Sequence, residues 1–216
     1  MNKTLRWTAW AGLLGGLLMY CGDMLLYFTT EPFADFENEI LPSMGSVPFA
    51  RFFAGGLVAP FTTALYILGF YHLYLRVDPA RKAWGKWSLV LLSIGMICGG
   101  EYHAFFPAFG IVSAHGQGHL IDHLLTYAFW LGGMSFVFMA SGWLIYAYMI
   151  LRRWADFPRW SIVFIPIVTV WLGELWDTLP EPFAVLIAGG WLSLIFAIFY
   201  VVALSTLKHN DKKYEA

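Results

Sequence analysis

The sequence predicts an all-α integral membrane protein with six transmembrane helices. The composition is 59% hydrophobic and only 12% charged, whereas soluble domains carry about twice that charged fraction. Six apolar stretches each come close to the ~20 residues that a spanning helix needs. No stretch alternates with a period of two over a strand length, which argues against an outer-membrane barrel. The predicted spans are residues 7–28, 52–75, 87–106, 125–151, 160–176 and 183–207.

The basic residues predict the orientation of this single six-helix domain. With six alternating helices, twelve of the 13 Lys and Arg residues fall on one side, and only Arg51 falls on the other. Because loops rich in Lys and Arg stay in the cytoplasm, we expect a multi-pass protein of the inner membrane with both termini cytoplasmic. Residues 208–216 then form a polar cytoplasmic tail. No basic surface is left over for nucleic acid.

Each odd-numbered predicted helix carries, near its end, a glycine followed at once by an acid. The three pairs are Gly22-Asp23, Gly100-Glu101 and Gly173-Glu174. A carboxylate in hydrocarbon is costly unless it is compensated, so such acids indicate a functional site. At ~1.5 Å per residue, the acids lie roughly 22 to 25 Å from the basic side, within the outer leaflet. We therefore expect them to share one outward-opening polar pocket.

The spacing of these motifs predicts three pseudo-repeated αα-hairpins. The distance from a basic residue to the acid is 17, 15 and 15 positions in the three hairpins. The distance from the returning glycine to the next basic residue is 20, 19 and 18 positions. Membrane folds often contain internal repeats of this kind. The alternative is a chance similarity, because the motifs are short.

The second predicted helix begins with the one basic residue of the outer side, Arg51. It is the natural partner for an acid of the site and a candidate substrate contact. The alternative is an interfacial arginine whose charged head extends to water. The preceding loop carries four acids, which are typical of a solvated surface: Glu31, Asp35, Glu37 and Glu39.

The third predicted helix ends in the residues that we expect to form the centre of the site. Glu101 follows Gly99 and Gly100, which have no side chains to cover it, and His103 lies two positions further on. The helix is expected to break near Pro107. Glu101→Gln is expected to abolish function in a folded protein. The alternative is a structural ion pair between Glu101 and Arg51, whose loss destabilises the fold.

The segment between the third and fourth helices contains a candidate metal site. Its residues are His115, His119, Asp122 and His123. In a helix, spacings of four and eight place the three histidines on one face, and imidazole with carboxylate suits zinc or another divalent transition metal. A straight helix from His123 to Arg152 would be roughly 43 Å long. We therefore expect a segment at the membrane interface whose histidines lean over Glu101. The alternative is that the histidines only lie at the interface and bind no metal.

The fifth predicted helix ends in an aromatic and acidic sequence. Trp176 and Asp177 follow Glu174 closely, and with Arg51 and Tyr102 they are candidates for substrate contact. The alternative for Trp176 is the aromatic belt at the membrane interface. A short turn with proline then leads to the sixth helix.

These residues favour an enzyme that acts on a lipid-like or isoprenoid substrate. Glu101 would donate a proton, with His103 nearby and Asp23 or Glu174 as the ionised partner, or a bound metal would assist. The chain contains 11 Trp, 11 Tyr and 19 Phe, which can stabilise a cationic intermediate. The alternative is a proton- or cation-coupled transporter or a ligand-binding membrane protein. In either case, the expected partners of the protein are the lipid bilayer and a small lipophilic ligand or substrate.

Overall fold

The chain folds into a bundle of long apolar helices. The computed structural model describes residues 3–29, 36–176, 178–180 and 182–214. These residues are helical or in connecting turns, apart from one isolated bridge between Val77 and Ala155. Four helical stretches are long and apolar enough to cross a membrane: Lys3–Tyr27, Phe49–Leu75, Pro79–Ala114 and Gly118–Leu151. The prediction of an all-helical protein is thus confirmed, and its four long apolar stretches are candidates for membrane spans.

The α-helices are numbered in chain order. They are α1 (Lys3–Tyr27), α2 (Leu41–Ser43), α3 (Phe49–Leu57), α4 (Ala59–Leu75), α5 (Lys82–Phe105), α6 (Pro107–Ala114), α7 (Ile121–Leu151), α8 (Pro166–Thr169), α9 (Gly173–Trp176), α10 (Phe183–Ile187) and α11 (Trp191–Tyr214). Several begin where a proline occupies the first turn, as at Pro60 in α4 and Pro107 in α6. Proline lacks an amide hydrogen and is tolerated at that position.

The outer surface of the bundle is apolar. The most exposed large side chains include Trp7, Phe61 and Trp130, which are 73%, 72% and 72% exposed. Soluble proteins rarely expose extended apolar surfaces. The exposed faces of the long helices therefore fit a lipid environment.

Glycines allow the long helices to approach one another closely. The extensive contacts join α1 to α4 and α11, α4 to α5, and α5 to α7. A Cβ atom on Gly16 of α1 would lie 2.9 Å from the backbone nitrogen of Ala197 in α11. A Cβ atom on Gly95 of α5 would lie 2.8 Å from the backbone nitrogen of Met139 in α7. Small residues permit this packing in membrane helices, and the resulting order is α11, α1, α4, α5, α7.

Buried aromatic rings close the middle of this bundle. We call these five side chains the aromatic floor: Tyr66, Phe70, Trp143, Phe196 and Phe199. Ring centroids are 4.9 Å apart between Tyr66 and Phe196, and 5.0 Å apart between Trp143 and Phe199. The floor joins α4, α7 and α11.

Arg76 lies at one end of the bundle, which we call the basic end. Its guanidinium group is buried and donates hydrogen bonds to the Thr206 hydroxyl at 2.9 Å and to the Ala203 carbonyl at 3.3 Å. It also donates to the Asp156 carbonyl and lies over the Phe157 ring, with its central carbon 3.6 Å from the ring centroid. Arg76 therefore joins the end of α4 to α11 and to the loop after α7.

The predicted fifth helix, residues 160–176, is not one continuous helix. It consists of the 3₁₀ turn Arg159–Phe164, α8, the 3₁₀ turn Val170–Leu172 and α9. Pro166 interrupts it, because proline lacks an amide hydrogen and its ring clashes with the carbonyl four residues earlier. The segment still runs from the basic end, where Arg159 donates to the Leu151 carbonyl at 3.0 Å, towards α11. There the Trp191 indole donates to the Thr169 carbonyl at 3.0 Å.

Candidate functional site

A cavity of about 780 Å³ lies between α1, α5, α7 and the start of α11. The aromatic floor, through Tyr66, Trp143 and Phe196, forms its wall towards the basic end. The remaining lining is mostly apolar and includes Met19, Met96 and Ile195. This size and character are typical of pockets that bind small molecules.

The cavity reaches the exposed apolar surface of the bundle between α7 and α11. Phe129 and Phe136 of α7 and Leu192 of α11 line it, and they are 59%, 49% and 61% exposed. Gly133 lies between the two phenylalanines, and a Cβ atom built there would meet no atom within 4 Å. The cavity is therefore open at the side of the bundle next to these residues.

One titratable pair lies on the cavity wall. Asp23 Oδ1 is 3.1 Å from His103 Nδ1, and the Ser193 hydroxyl donates to Asp23 Oδ2 at 2.7 Å. The three side chains are buried and come from α1, α5 and α11. The Tyr27 hydroxyl, whose side chain also lines the cavity, donates to the Gly189 carbonyl. Three long helices thus converge on one carboxylate.

A glycine of α1, where α1 packs closely against α3, leaves space for the His103 ring. Asp23 belongs to a buried stripe of α1 with Met19 and Leu26, a spacing that keeps side chains on one helix face. Next to it, a Cβ atom on Gly22 would lie only 3.0 Å from His103 Nε2. Because Gly22 has no side chain, the imidazole fits against the backbone, and His103 Nε2 lies 3.0 Å from the Gly55 carbonyl oxygen.

The hydrogen-bond partners place one hydrogen of the pair and require a second one. A carbonyl oxygen can only accept, so His103 Nε2, which faces the Gly55 carbonyl, carries a hydrogen. The contact between His103 Nδ1 and Asp23 Oδ1 then requires one further proton, held by the imidazole or by the carboxyl group. A proton that can shift between two groups is what general acid–base catalysis requires.

The structure does not bring the three predicted acids to one site. Asp23 is buried in the cavity wall, whereas Glu101 and Glu174 are exposed and line no part of this cavity. Glu174 lies in α9 beside a separate shallow pocket, next to Trp171 and Trp191. Residues 159–176 do not form one continuous helix. Glu174 therefore does not have the orientation that a continuous helix would give it.

Glu101 faces away from the cavity because of its position on α5. The buried positions of that helix include Met96, Gly100 and His103. Glu101 instead continues the exposed stripe of Ile94 and Ile97. One residue along a helix turns a side chain by about 100°, which is enough to move it from one face to the next. Glu101, the expected centre of the site, therefore does not line this cavity, whereas Asp23 does.

Arg51 closes the end of α1. Its guanidinium group donates to the carbonyls of Met24 at 3.1 Å and Phe28 at 2.7 Å. The Phe28 carbonyl lies just beyond α1, and the Met24 carbonyl also accepts from the Phe28 amide at 3.2 Å, so Arg51 adds donors to the carbonyls at the helix end. Among the described residues, the alternative ion pair between Arg51 and Glu101 does not form.

The four predicted metal ligands are not assembled into a site. His115 caps the end of α6, His119 lies in the 3₁₀ turn that follows, and His123 lies in the first turn of α7. The spacing argument fails because Gly116, with φ +68, ends the helix between them. All three histidines and Asp122 are exposed. In the described part of the chain, no three His, Cys, Asp or Glu side chains lie close enough to hold a metal ion.

The predicted aromatic contacts differ in their positions. Tyr102 lines the cavity, and its ring lies 3.4 Å from where a Cβ atom of Gly132 would be. Trp176 packs edge-on against Trp191, with centroids 5.4 Å apart, and does not line this cavity. Outside the described residues lie Asp177, Glu31, Asp35 and the side chain of Glu37.

Sequence reasoning did not identify Ser193 or Tyr66. Ser193 is a small polar residue within the apolar stretch 183–207, which is the only signal that the sequence offers for it. Asp23 and His103 were both identified, but their partnership was not, because they belong to different predicted hairpins. Tyr66 has no distinguishing pattern among 11 tyrosines.

Comparisons with known proteins identify a family for the chain. No curated protein and no solved structure matches it. A family model matches residues 1–210, nearly the whole chain. The chain therefore belongs to the family described as Family of unknown function (DUF6796).

Proposed function

We propose that this protein is a membrane-embedded enzyme that acts on a lipid-like or isoprenoid molecule by acid–base chemistry at Asp23 and His103. The observation that carries the proposal is the contact of 3.1 Å between Asp23 and His103 on the wall of an otherwise mostly apolar cavity. An apolar chain would occupy the cavity with its reactive group next to Asp23. Perturbable carboxylate–histidine pairs in apolar pockets are favourable positions for proton transfer.

Each group on the wall has a role in this proposal. His103 and Asp23 supply or accept the proton, while Ser193 fixes the orientation of the carboxylate through its hydrogen bond at 2.7 Å. The rings of Tyr66 and Trp143 face the same cavity and can stabilise positive charge that develops on the substrate. The apolar lining excludes water, which strengthens these electrostatic interactions.

A ligand-binding membrane protein without catalysis is the second candidate. It is favoured because Asp23 Oδ1, Asp23 Oδ2 and His103 Nε2 each already have a partner within the protein. A transporter is less well supported, because transport needs a continuous polar path through the protein. Between the cavity and Arg76, the described residues form closely packed aromatic contacts.

The proposed location is the inner membrane, with six crossings and both termini in the cytoplasm. Residues 159–176 run from the basic end towards the start of α11 and would make the fifth crossing. The threefold hairpin repeat remains a part of this proposal.

Fluorescent-protein fusions at the C-terminus should fluoresce in the cytoplasm, whereas a cysteine placed at Gly118 should react with impermeant reagents from outside. Labelling of that cysteine only after lysis would contradict this orientation.

The enzymatic proposal is tested by comparing membrane lipids. Cells that produce the wild type, Asp23→Asn or Glu101→Gln are extracted, and their lipids are compared by mass spectrometry. We expect a change in at least one lipid with the wild type and with Glu101→Gln, but not with Asp23→Asn. If one lipid copurifies equally with all three proteins and no lipid changes in abundance, the protein is a ligand-binding protein.

A further inference from the structure

Two arginines at the basic end, away from the cavity, share one tryptophan ring. The guanidinium carbon of Arg81 lies 4.5 Å from the Trp154 ring centroid, and that of Arg152 lies 5.7 Å from it. Arg81 comes from the turn before α5, and Arg152 follows the end of α7. The backbone between them is fixed, because the Asp78 amide donates to the Trp154 carbonyl at 2.7 Å. Trp154 thus contacts two cations that come from separate segments.

Both guanidinium groups retain hydrogen-bond donors. Within the described part of the chain, neither Arg81 nor Arg152 donates a side-chain hydrogen bond to the protein or forms an ion pair. The nearby Arg159 differs, since it donates to the Leu151 carbonyl. A π face stabilises the charge of a guanidinium group but does not occupy its fork of N–H donors.

The acids near this pair already have other partners. The Asp78 carboxylate accepts a hydrogen bond from the Ala80 amide at 2.8 Å. The Asp156 carboxylate lies 3.7 Å from the Arg76 guanidinium group. An external anion with several acceptor oxygens is therefore the ligand that suits Arg81 and Arg152, and a phosphate matches the guanidinium fork.

The surrounding surface indicates that this phosphate belongs to a lipid. Trp84 and Tyr148 pack beside Trp154, with ring centroids 6.0 Å and 5.4 Å from it, and both are exposed. Exposed Trp and Tyr side chains typically lie at the level of the lipid headgroups. The exposed apolar faces of α5 and α7 continue from this point along the bundle, where acyl chains would lie.

We propose that Arg81, Arg152 and Trp154 form a binding site for the phosphate of an anionic phospholipid in the adjacent leaflet. The site lies on the opposite side of the aromatic floor from the Asp23–His103 pair, so it does not depend on the function of the cavity. Anionic lipids attract basic residues near a membrane surface in general. Here the contact of both arginines with the Trp154 ring gives the phosphate a defined binding position.

The test uses the full chain in phosphatidylcholine nanodiscs and measures thermal unfolding as phosphatidylglycerol is added. We expect phosphatidylglycerol to raise the melting temperature of the wild type. The Arg81→Gln/Arg152→Gln variant should lose at least half of that rise. The Lys3→Gln/Arg6→Gln variant removes the same charge from the same end of the bundle and should keep the rise. An equal rise in both double variants would overturn the site.

Two further measurements make the test specific. Arg81→Lys/Arg152→Lys keeps the charge but lacks the planar fork, so its rise should be smaller than that of the wild type. A full rise in the Lys variant would overturn the geometric argument and leave only general attraction. Inorganic phosphate should produce no rise. If it reproduces the effect of phosphatidylglycerol, the ligand is free phosphate and the lipid proposal fails.

Discussion

The Asp23 carboxylate can be exchanged for an amide with little disturbance of its neighbours. In Asp23→Asn, the amide oxygen can accept from Ser193, and the amide nitrogen can donate to Nδ1 of a neutral His103. We therefore expect a melting temperature near that of the wild type and a loss of the lipid conversion. Thermal unfolding and lipid mass spectrometry on the same preparation check both parts.

Glu101→Gln is the matched control for this substitution. It makes the same chemical change at an exposed position of α5 that does not line the cavity. Both stability and activity should stay near those of the wild type. Activity that is lost with Glu101→Gln but kept with Asp23→Asn would return the site to Glu101.

Gly133→Leu should obstruct the cavity without unfolding the protein. A Cβ atom at Gly133 meets open space, and replacing a glycine within a helix by leucine adds up to about 1 kcal/mol of helix stability. We expect normal stability and a several-fold decrease in copurifying lipid, measured by mass spectrometry. Met134→Leu serves as the control, because Met134 is exposed and does not line the cavity. Equal lipid retention in both variants would exclude this route of access.

The prediction of single site residues from the sequence was limited by helix orientation. Counting residues from the basic side gives the depth of an acid in the membrane. By this count, Asp23 and Glu101 have similar predicted depths. Burial depends on which neighbour each face meets, and the sequence does not state that α5 turns His103 inward and Glu101 outward. A residue's partner on another helix, such as Ser193, was equally beyond reach.

At the scale of helices, packing at Gly16 limits the distance between α1 and α11. An added Cβ atom would lie 2.9 Å from the backbone nitrogen of Ala197 and 3.1 Å from its Cα. Backbone atoms cannot move aside alone, so Gly16→Ala should lower the free energy of unfolding by about 1 to 3 kcal/mol. Gly133→Ala makes the same change in open space and should be neutral or slightly stabilising. Chemical denaturation of both variants checks the contrast, and equal stability would contradict the packing argument.

The long helices could be predicted from hydropathy, whereas the interrupted ones could not. Residues 7–28 and 125–151 correspond closely to α1 and α7, because an uninterrupted apolar stretch has few alternatives to a helix in a membrane. Residues 160–176 are as apolar, but Pro166 divides them into short turns. The histidine spacing assumed a helix through Gly116, where the backbone adopts φ +68.

At the scale of the whole molecule, Arg76 connects three segments. Replacing it by glutamine removes hydrogen bonds to Ala203, Thr206 and Asp156 and the contact with Phe157. Buried acceptors that lose their donor are costly, so we expect a decrease of about 2 to 4 kcal/mol in the free energy of unfolding. Arg6→Gln, at an exposed position of the same end, should change it by less than about 0.5 kcal/mol. A similar stability for both variants would show that Arg76 is not a structural centre.

The aromatic floor closes the cavity on the side of the basic end. A molecule that entered between α7 and α11 would not pass through the cavity to the basic end, because the described rings close that side. Substrate and product would therefore stay in one leaflet, and the protein would preserve the asymmetry of its membrane. Vesicles that contain the protein and a fluorescent phospholipid should lose about half of their fluorescence when an impermeant reductant is added outside. A loss approaching the whole signal would reveal lipid exchange between the leaflets and an open path through the floor.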